Sequence, residues 1–389
     1  MEIGICHFSP AGAKLEEKVC RFENLSAGER IHWNKRRKQS LNVWAEKGFS
    51  QFDAMVFIGA CGIATRAIAP YIRDKFTDPA VLCVDDRGRY VIPILSGHMG
   101  GANQLAVLLA EWLEAVPVVT TGTDCAGAFA CDLWVKKNGL GIYNHRGIQE
   151  ISSAVLRKEK VGIWSEEEFR PGTCPPRELE PEDWYAVLSA LRRREQRTHI
   201  LVFSSYQRAE NFSAQLSLHC DDDSGGRGEL GCLILYARPY IVGVGCRAGI
   251  DFESLRAQYH DFLRRHRIDP HQVLALASVD RKSREPALVS LRRQEGLSLY
   301  TRSPEELMRI KGKFHHSDFV METLGCDNVC ERAAMAVAMD LSRGRRDEGR
   351  ESANGPDRDP KGVAELLLPR ETGDQVTLAL VGRKILLNF

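Results

Sequence analysis

The feature that most constrains the fold is a recurring pattern in which an apolar run ends in glycine and passes directly into a helical segment. Ala54–Ala60 is a continuous apolar run, as expected of a parallel strand that is buried on both faces. Gly62–Ile72 then has helical spacing, and strand-like and helix-like segments keep alternating as far as Lys137. Parallel strands need such crossover connections. The pattern therefore predicts an α/β fold with helices on both faces of the sheet.

The length of the chain predicts more than one domain. Its 389 residues exceed the about 100–200 residues of an ordinary domain. The alternation weakens after Leu140, through a stretch with several prolines and a polar loop at Asp221–Gly228, and it returns at Tyr240. We expect an N-terminal parallel-sheet domain over 1–138, a small linking α/β domain over 139–238 and a C-terminal α/β domain over 239–389. A charged stretch at 342–362 predicts a mobile insertion in the last domain.

Composition and charge exclude several classes of protein. The net charge of +1 gives no overall attraction to nucleic acid or to a membrane surface. No apolar run reaches the ~18–20 residues of a membrane-spanning helix, and Met1–His7 has the pattern of a first strand, not of a signal peptide. The 12 cysteines include no C-x-x-C pair, so reduced thiols fit better than a zinc site. We expect a soluble cytoplasmic protein that binds neither nucleic acid nor membrane.

The first candidate site is Ser96–Asn103, which follows one predicted strand and opens a helix. Glycines remove Cβ atoms where a ligand must approach the backbone, and the start of a helix favours carboxylates. A histidine in this position can carry a proton near neutral pH, although a plain glycine turn before a capped helix explains the pattern as well. The residues concerned are Ser96, Gly97, His98, Gly100, Gly101 and Asn103.

Other candidate residues of the N-terminal domain also follow predicted strands. They are Gly59, Gly62 and Arg66, the turn residues Asp85 and Asp86, and Thr120, Thr121, Thr123 and Asp124. Arg66 is expected in the first turn of a helix, where a bound anion would explain a basic residue, although an exposed surface arginine is the alternative. Asp124 is either a base or a helix cap. Because ligands of open α/β sheets collect outside the carboxyl ends of strands, we expect the two glycine loops and Thr120–Asp124 to share one edge.

The C-terminal domain contains two more candidate segments at predicted strand ends. Their residues are Gly245, Cys246 and Arg247 in the first, and Ser278, Asp280, Lys282 and Glu285 in the second. Cys246, beside Arg247 and near a helix start, is expected to have a lowered pKa, although a tight turn with a half-buried thiol is the alternative. The charged groups of the second segment pair with one another or bind an acidic ligand. Together the five segments favour a ligand with many carboxylates.

At these segments the chain resembles the cobalt-precorrin-5A hydrolase family of anaerobic cobalamin (vitamin B12) biosynthesis. The resemblance covers nearly the whole chain and is strongest from Gly59 to Asp124. In the C-terminal part it rests on Gly243–Gly249, Ser278–Glu285, Ser317–Val320 and Val329–Ala334. Three features depart from the family pattern. Ala248 stands where a basic residue is expected, and the stretch 342–362 has the character of an insertion. After Pro369 the family tends to carry lysines and a glycine pair, where this chain has Arg370–Asp374.

The resemblance implies a hydrolase that opens the δ-lactone of a cobalt corrinoid, releases acetaldehyde by breaking a carbon–carbon bond, and forms cobalt-precorrin-5B. The cobalt belongs to the substrate, so no cofactor or metal from the protein is expected. We predict catalytic roles for His98, Asp124 and Ser96, and substrate contacts from the other residues of these segments and from the Asp85–Asp86 turn. A homodimer, or transient contact with other enzymes of the pathway, is also expected.

Two other functions remain compatible with the sequence. A corrinoid carrier or scaffold without catalytic activity would use the same carboxylate-binding loops but release no acetaldehyde. A hydrolase that works by acyl transfer through Cys246 would depend on that thiol, whereas a hydrolase that activates water would not.

Overall fold

The computed structural model describes residues 1–23, 31–193, 195, 197–218, 231–343 and 362–389. These residues form two units, which divide the chain between Lys136 and Lys137. The predicted loop at Asp221–Gly228 and residues 344–361 of the predicted insertion lie outside the described residues.

The first unit is built on a six-stranded sheet with the strand order β2-β1-β3-β4-β5-β6. Its strands are β1 (Glu2–His7), β2 (His32–Lys35), β3 (Ala54–Ile58), β4 (Ala80–Val84), β5 (Tyr90–Leu95) and β6 (Val116–Pro117). Its helices are α1 (Pro10–Val19), α2 (Leu41–Gln51), α3 (Cys61–Ile68), α4 (Ala102–Leu113), α5 (Gly122–Ala126) and α6 (Cys131–Asn138), the last of which crosses the boundary between the units.

Each face of this sheet has its own hydrophobic core. On one face Leu105 and Leu109 of α4 belong to a buried cluster with Ile5 and Val56. On the other face Trp44 of α2 is fully buried in a second cluster. Helices therefore cover both faces, and the predicted α/β fold is confirmed for this unit.

A tight hairpin reverses the direction of the chain within this sheet. The strands β1 to β4 run parallel, but β5 pairs antiparallel with β4, and β6 runs parallel to β5. The carboxylate of Asp85 accepts the backbone N–H groups of Arg89 (2.6 Å) and Tyr90 (2.8 Å), which closes the turn. Gly88 adopts a φ of +67°, which favours glycine. The carboxyl ends of β5 and β6 consequently open at the edge opposite to those of β1, β3 and β4.

The second unit contains two larger sheets. The first has the order β10-β8-β11-β12-β7 and is formed by β7 (Leu140–Ile142), β8 (Val161–Ser165), β10 (Leu179–Pro181), β11 (His199–Phe203) and β12 (Cys232–Ala237). Its helices are α7 (His145–Leu156), α8 (Trp184–Arg192) and α9 (Tyr206–Leu218). A short strand, β9 (Glu168–Phe169), pairs with β18 (Leu386–Leu387) near the end of the chain.

The other large sheet of this unit has the order β15-β14-β13-β17-β16. Its strands are β13 (Tyr240–Cys246), β14 (Val273–Val279), β15 (Ser298–Arg302), β16 (Ala364–Thr372) and β17 (Val376–Arg383). The accompanying helices are α10 (Phe252–Arg265), α11 (Pro286–Gln294), α12 (Pro304–Met308), α13 (Asp318–Leu324) and α14 (Cys330–Arg343). The strands β13, β14 and β15 are parallel, whereas β17 and β16 return antiparallel.

The helix α14 crosses this sheet at close range. A Cβ atom on Gly243 would overlap the carbonyl group of Cys330, so only glycine permits the approach. The fold class is thus α/β in both units. Because both sheets after Lys137 belong to one unit, the predicted boundary near 238 stays a prediction. Within the described part of the chain, no helix combines the length and the apolar character that crossing a bilayer requires.

A candidate active site around His98

His98 lies in the loop between β5 and α4 and contacts two carboxylates. Its Nδ1 is 3.0 Å from Oδ2 of Asp132, at the start of α6, and its Nε2 is 2.9 Å from Oδ2 of Asp124, in α5. The side chains of His98 and Asp132 are each 13% exposed, whereas that of Asp124 is 32% exposed. The imidazole is therefore nearly enclosed, and Asp124 is the member of the group that solvent reaches.

The same oxygen of Asp124 accepts two further hydrogen bonds. The amide Nδ2 of Asn103 donates to it at 2.8 Å, and the hydroxyl of Thr121 donates to it as well. Asn103 also donates to the Thr121 hydroxyl at 2.9 Å. All these contacts use Oδ2, and Oδ1 takes part in none of them. Asp124, which lies within α5, therefore forms the centre of a polar cluster, and capping of the next helix, the alternative to a role as base, is not among these contacts.

The backbone of the Ser96–Asn103 loop explains why His98 is held in this position. Ser96 adopts a φ of +56°, and its hydroxyl donates to the carbonyl oxygen of Asp78 at 3.0 Å. A Cβ on Gly97 would press on the Asn103 side chain, and one on Gly100 would overlap Ser96. These glycines are needed because the loop packs on itself, not because a ligand approaches them. Ser96 is 8% exposed and holds the loop, so its predicted catalytic role gains no support from the geometry.

The two carboxylates keep His98 protonated. A carboxylate only accepts hydrogen bonds, so both ring nitrogens must carry a proton if both bonds are to form. The hydrogen bond to Asp132 is the largest influence, burial opposes it, and the bond to Asp124 adds to it; together they raise the pKa of His98 to about 9. The sequence-based expectation of an ordinary imidazole pKa is therefore wrong here. Burial disfavours the charge on Asp124, but Thr121 and His98 outweigh it and lower the pKa of that carboxyl group.

Asp132 is the member of the cluster that the sequence analysis missed. It is 34 residues from His98, and nothing in that spacing indicates contact. A signal was present, because Asp132 stands in the first turn of the helix that follows the Thr120–Asp124 segment. Of the remaining predicted residues nearby, Thr123 is buried within α5, Thr120 is exposed before it, and Gly101 directly precedes α4 with a φ of +85°.

The expectation that all three N-terminal loops share one edge is wrong. Because the β4–β5 hairpin reverses the chain, the Ser96–Asn103 and Thr120–Asp124 segments lie at one edge, and the loops after β3 and β4 lie at the other. At that other edge, Asp86 accepts a hydrogen bond from the Ser9 hydroxyl at 2.9 Å. The Asp85 carboxylate closes the hairpin turn, so both aspartates have structural partners.

The anion site that we expected at Arg66 does not have the required geometry. The helix α3 begins at Cys61, so Arg66 is exposed and lies in its last turn, where a basic residue favours the helix dipole. A Cβ on Gly62 would meet only the Arg66 guanidinium, at 3.9 Å, and one on Gly59 would overlap the ring of Phe8. Nothing about Arg66 therefore calls for a bound anion.

In the second unit the two predicted loops lie side by side, at the carboxyl ends of the parallel strands β13 and β14. Glu285 accepts the backbone N–H of Gly249 at 2.9 Å and pairs with Nζ of Lys282 at 2.8 Å. Of the two roles we considered for these charges, mutual pairing is therefore realised for Lys282 and Glu285. Arg247 is exposed in the first of the two loops.

The surroundings of three predicted residues of this unit indicate structural roles. The hydroxyl of Ser278 is fully buried and donates to the Val244 carbonyl at 2.7 Å. Gly245 is packed against the hydroxyl of Thr377, and Asp280 opens a short turn after β14. Burial raises the pKa of Cys246 despite the nearby Lys282, and Glu285 adds to the rise. The predicted lowering of this pKa is wrong, which removes the reason for a thiolate nucleophile.

No group of three or more His, Cys, Asp or Glu side chains that could hold a metal ion occurs within the described ranges. The cysteines of those ranges are free thiols.

Comparisons with known proteins agree with the resemblance seen in the sequence. Residues 43–124 match the family model "Cobalamin synthesis G N-terminal", and residues 240–381 match "Cobalamin synthesis G C-terminus". A cobalt-precorrin-5A hydrolase from Salmonella typhimurium is 30% identical over 297 residues, 76% of this chain and 78% of that protein. One from Priestia megaterium is 30% identical over 292 residues, 74% and 73% of the two chains.

Among solved structures, a cobalamin biosynthesis protein G homolog from Sulfolobus solfataricus aligns over 98% of this chain and 97% of its own. The TM-score is 0.38 and the identity 18%, too low a likeness to carry an argument. The two family models and the two curated relatives show the family without this structure. The chain belongs to the cobalt-precorrin-5A hydrolase family.

Proposed function

We propose that this protein opens the δ-lactone of cobalt-precorrin-5A, releases acetaldehyde and forms cobalt-precorrin-5B, and that the His98 cluster handles the protons. The relatives named cobalt-precorrin-5A hydrolase support the reaction. The observation that supports the site is the position of His98 between Asp132 and Asp124. That position creates a protonated imidazole beside a partly exposed carboxylate, which is a matched acid and base.

The first step is the opening of the lactone. Water adds to the carbonyl carbon, one water proton passes to the carboxylate of Asp124, and the ester C–O bond breaks. His98 donates the proton on Nε2 to the departing alkoxide, which leaves a carboxylic acid and a hydroxyl group. Because the pKa of His98 is about 9, the imidazolium form is available at neutral pH.

The second step is the loss of the two-carbon unit. The neutral His98 takes the hydroxyl proton, the carbon–carbon bond to the macrocycle breaks, and acetaldehyde leaves. The electron pair of that bond passes into the conjugated ring, which takes up the proton that Asp124 had removed from water, so that Asp124 is again ionised and His98 again protonated. One water molecule is consumed in all, and no oxidant or reductant is needed.

The hydrogen bonds of Asp124 orient it for its role as a base. Its Oδ2 is held by Asn103 and Thr121 in addition to His98, so the other oxygen is left to meet water. The lowered pKa keeps the group ionised at neutral pH but also makes it a weak base. We therefore assign the larger catalytic contribution to His98.

Anaerobic incubation with the lactone corrinoid, followed by trapping of acetaldehyde, tests the proposal. We expect stoichiometric acetaldehyde from the wild-type protein and from Cys246→Ser. Binding of the corrinoid without acetaldehyde would instead identify a carrier. Loss of activity in Cys246→Ser alone would indicate the thiol mechanism, against which the raised pKa of Cys246 argues.

We further propose that the protein acts in the cytoplasm and supplies no metal of its own, because the cobalt arrives with the substrate. A homodimer, or transient contact with other enzymes of the pathway, stays a prediction.

A further inference from the structure

His315, between α12 and α13 of the second unit, is hydrogen-bonded to a fully buried carboxylate. Its Nδ1 is 2.8 Å from Oε1 of Glu331, and its backbone N–H donates to Oε2 of the same group at 2.8 Å. Glu331 stands in the first turn of α14 and has no exposed surface. The amide of Asn328 (2.9 Å) and the backbone N–H of Arg370 (2.6 Å) complete its surroundings. The carboxylate is thus fixed by four donors.

With Nδ1 hydrogen-bonded to Glu331, the other ring nitrogen of His315 is directed away from the interior. Because a carboxylate only accepts, Nδ1 carries the ring proton, and Nε2 of the neutral imidazole has a free lone pair. The side chain is 54% exposed, and no residue in the described part of the chain bonds to Nε2. The neighbouring His316 differs, since its Nε2 is 2.9 Å from Asp318 and its Nδ1 is 3.8 Å from Asp327.

An exposed Nε2 on a ring whose Nδ1–H is held by a buried carboxylate is the arrangement typical of metal-binding histidines. The carboxylate fixes the tautomer and the orientation of the ring. The other three donors to Glu331 are two backbone N–H groups and a side-chain amide. The imidazole is the one donor of the four that also offers a metal-binding atom. Within the described ranges His315 belongs to no group of three or more side chains that could hold a metal ion, so it would be a single ligand to a metal held mainly by other atoms.

A cobalt corrinoid is a metal complex of that kind. The four nitrogens of the macrocycle occupy the equatorial plane of the cobalt, and the axial positions remain open to one more nitrogen. We propose that Nε2 of His315 binds the cobalt of the substrate as an axial ligand, with Glu331 as the positioning residue. This inference rests on the proposed function for the identity of the substrate.

Two neighbouring features fit a flat macrocycle with carboxylate arms. Phe319, in the first turns of α13, is 72% exposed and offers an apolar ring close in sequence to His315. The carbonyl of Thr323, also in α13, accepts a hydrogen bond from Arg281 at 3.1 Å, which brings the charged loop after β14 against this helix. One basic side chain of that loop, Arg281, therefore lies beside the helix that follows His315.

Electron paramagnetic resonance tests the ligand directly. The unpaired electron of low-spin Co(II) lies along the axial direction, so an axial nitrogen splits its signal. The probe is Co(II) cobinamide, a corrinoid without a nitrogen base of its own, added to protein grown with ¹⁵N-histidine or with unlabelled histidine. We expect a triplet splitting with the unlabelled protein and a doublet with the labelled protein.

The matched variants are His315→Asn and His316→Gln. In His315→Asn the introduced amide keeps a donor near the Nδ1 position for Glu331 but has no equivalent of Nε2, so the fold is retained. His315→Asn should lose the nitrogen splitting and bind Co(II) cobinamide at least about tenfold more weakly, as changes at metal sites do. Its affinity for dicyanocobinamide, whose axial positions are both occupied, should not change, and His316→Gln should behave as the wild type in both assays.

The Glu331→Gln variant tests the positioning role. It should keep the nitrogen splitting but bind Co(II) cobinamide about 10- to 100-fold more weakly, with dicyanocobinamide unaffected. Equal loss of affinity for both probes would mean that Glu331 is only structural.

The ligand assignment would be overturned by a wild-type complex without nitrogen splitting, by absence of cobinamide binding, or by splitting that survives in His315→Asn. Failure here is separate from failure of the proposed function. Release of acetaldehyde from the lactone corrinoid without any nitrogen coupling leaves the hydrolase intact and removes the ligand. Nitrogen coupling without acetaldehyde does the reverse.

Discussion

His98 in the first unit and His315 in the second are both held by carboxylates, but the two arrangements give the ring opposite properties. His98 has a carboxylate at each nitrogen and is 13% exposed. His315 has one carboxylate, that of Glu331, at Nδ1 and is 54% exposed. The first ring is a cation that can only donate, and the second, when neutral, presents a lone pair.

The comparison teaches that the number of carboxylates, and not the presence of histidine, determines what the ring can do. The second carboxylate on His98 raises the affinity for a proton and removes the lone pair that a metal would need. The single carboxylate on His315 orients the ring and leaves Nε2 available. We therefore assign proton transfer to His98 and metal binding to His315, and the following predictions separate the two assignments.

The largest effect is expected for His98→Gln. The amide can still hydrogen-bond to Asp132 or Asp124 but cannot transfer a proton, so turnover should fall about 10²–10⁴-fold. Binding of the corrinoid should change little, which distinguishes this variant from His315→Asn. Single-turnover release of acetaldehyde and equilibrium binding measure the two quantities. A variant with near-full turnover and poor binding would make His98 a substrate anchor instead.

The next effect is expected for Asp132→Asn, which removes the largest cause of the raised pKa of His98. In the wild type His98 keeps its proton until the pH rises through about 9, so acid-dependent turnover should fall above that pH. In the variant the fall should begin at a lower pH, and turnover at neutral pH should decrease about 10- to 100-fold. A pH–rate profile of both proteins is the measurement. An unchanged profile would show that Asp132 does not set the protonation of His98.

The same pKa links His98 to stability. Its folded-state pKa, about 9, is above the usual value of 6.5, so its contribution is fully present below about pH 6.5 and is lost as the pH rises through 9. Denaturant unfolding of the wild type and of His98→Gln should show the difference in unfolding free energy shrinking over that interval, by at most about 3 kcal/mol. A difference that grows with pH would contradict the assignment.

A smaller effect on stability is expected for Glu331→Gln. Four donors point at the buried carboxylate, and the amide nitrogen of glutamine would face at least one of them. Such an unsatisfied contact costs about 1–3 kcal/mol of unfolding free energy. Asp132→Asn, which is less enclosed, serves as the comparison in the same denaturant titration. A loss in Glu331→Gln no greater than in Asp132→Asn would mean that Glu331 is not specially required by the fold.

The smallest effect is expected for Arg66→Ala. Arg66 is exposed, lies in the last turn of α3, and follows the strand end at the edge opposite to His98. Turnover and affinity for the corrinoid should stay within about twofold of the wild-type values, because exposed substitutions away from a site rarely matter. A tenfold loss of affinity would move the binding surface to the other edge of the sheet.

Much of the fold could be predicted from local pattern. The strands β1 and β3 were predicted to within two residues at each end, because periodicity and turn residues determine them over short distances. The strand β2 was missed, because His32–Lys35 is polar and partly exposed at the sheet edge. The strand β6 is only two residues long and ends at Pro117, since it too is an edge strand with an exposed start.

The candidate site could be predicted in part. His98, Asn103, Thr121 and Asp124 were all identified, because they lie in loops next to predicted strand ends. Asp132 was missed because its contact with His98 depends on the path of the chain between them, which no local pattern records. The expectation that all three loops share one edge was wrong, although the hairpin itself is predictable. A hairpin reverses the chain, so β5 runs opposite to β4, and β6, which is parallel to β5, is reversed as well.

That hairpin also has a consequence for the order in which the first unit assembles. Strands β4 and β5 are neighbours in sequence and close over a short turn, whereas β1, β3 and β4 pair only after a helix has been crossed. Local pairings form fast, and long loops slow the others. Pulse-labelled hydrogen exchange during refolding should therefore protect the amide of Ile92, which faces β4, before those of Ile3 and Ile5. The strand β5, which leads into the loop of His98, would then be paired before the strands β1 and β3.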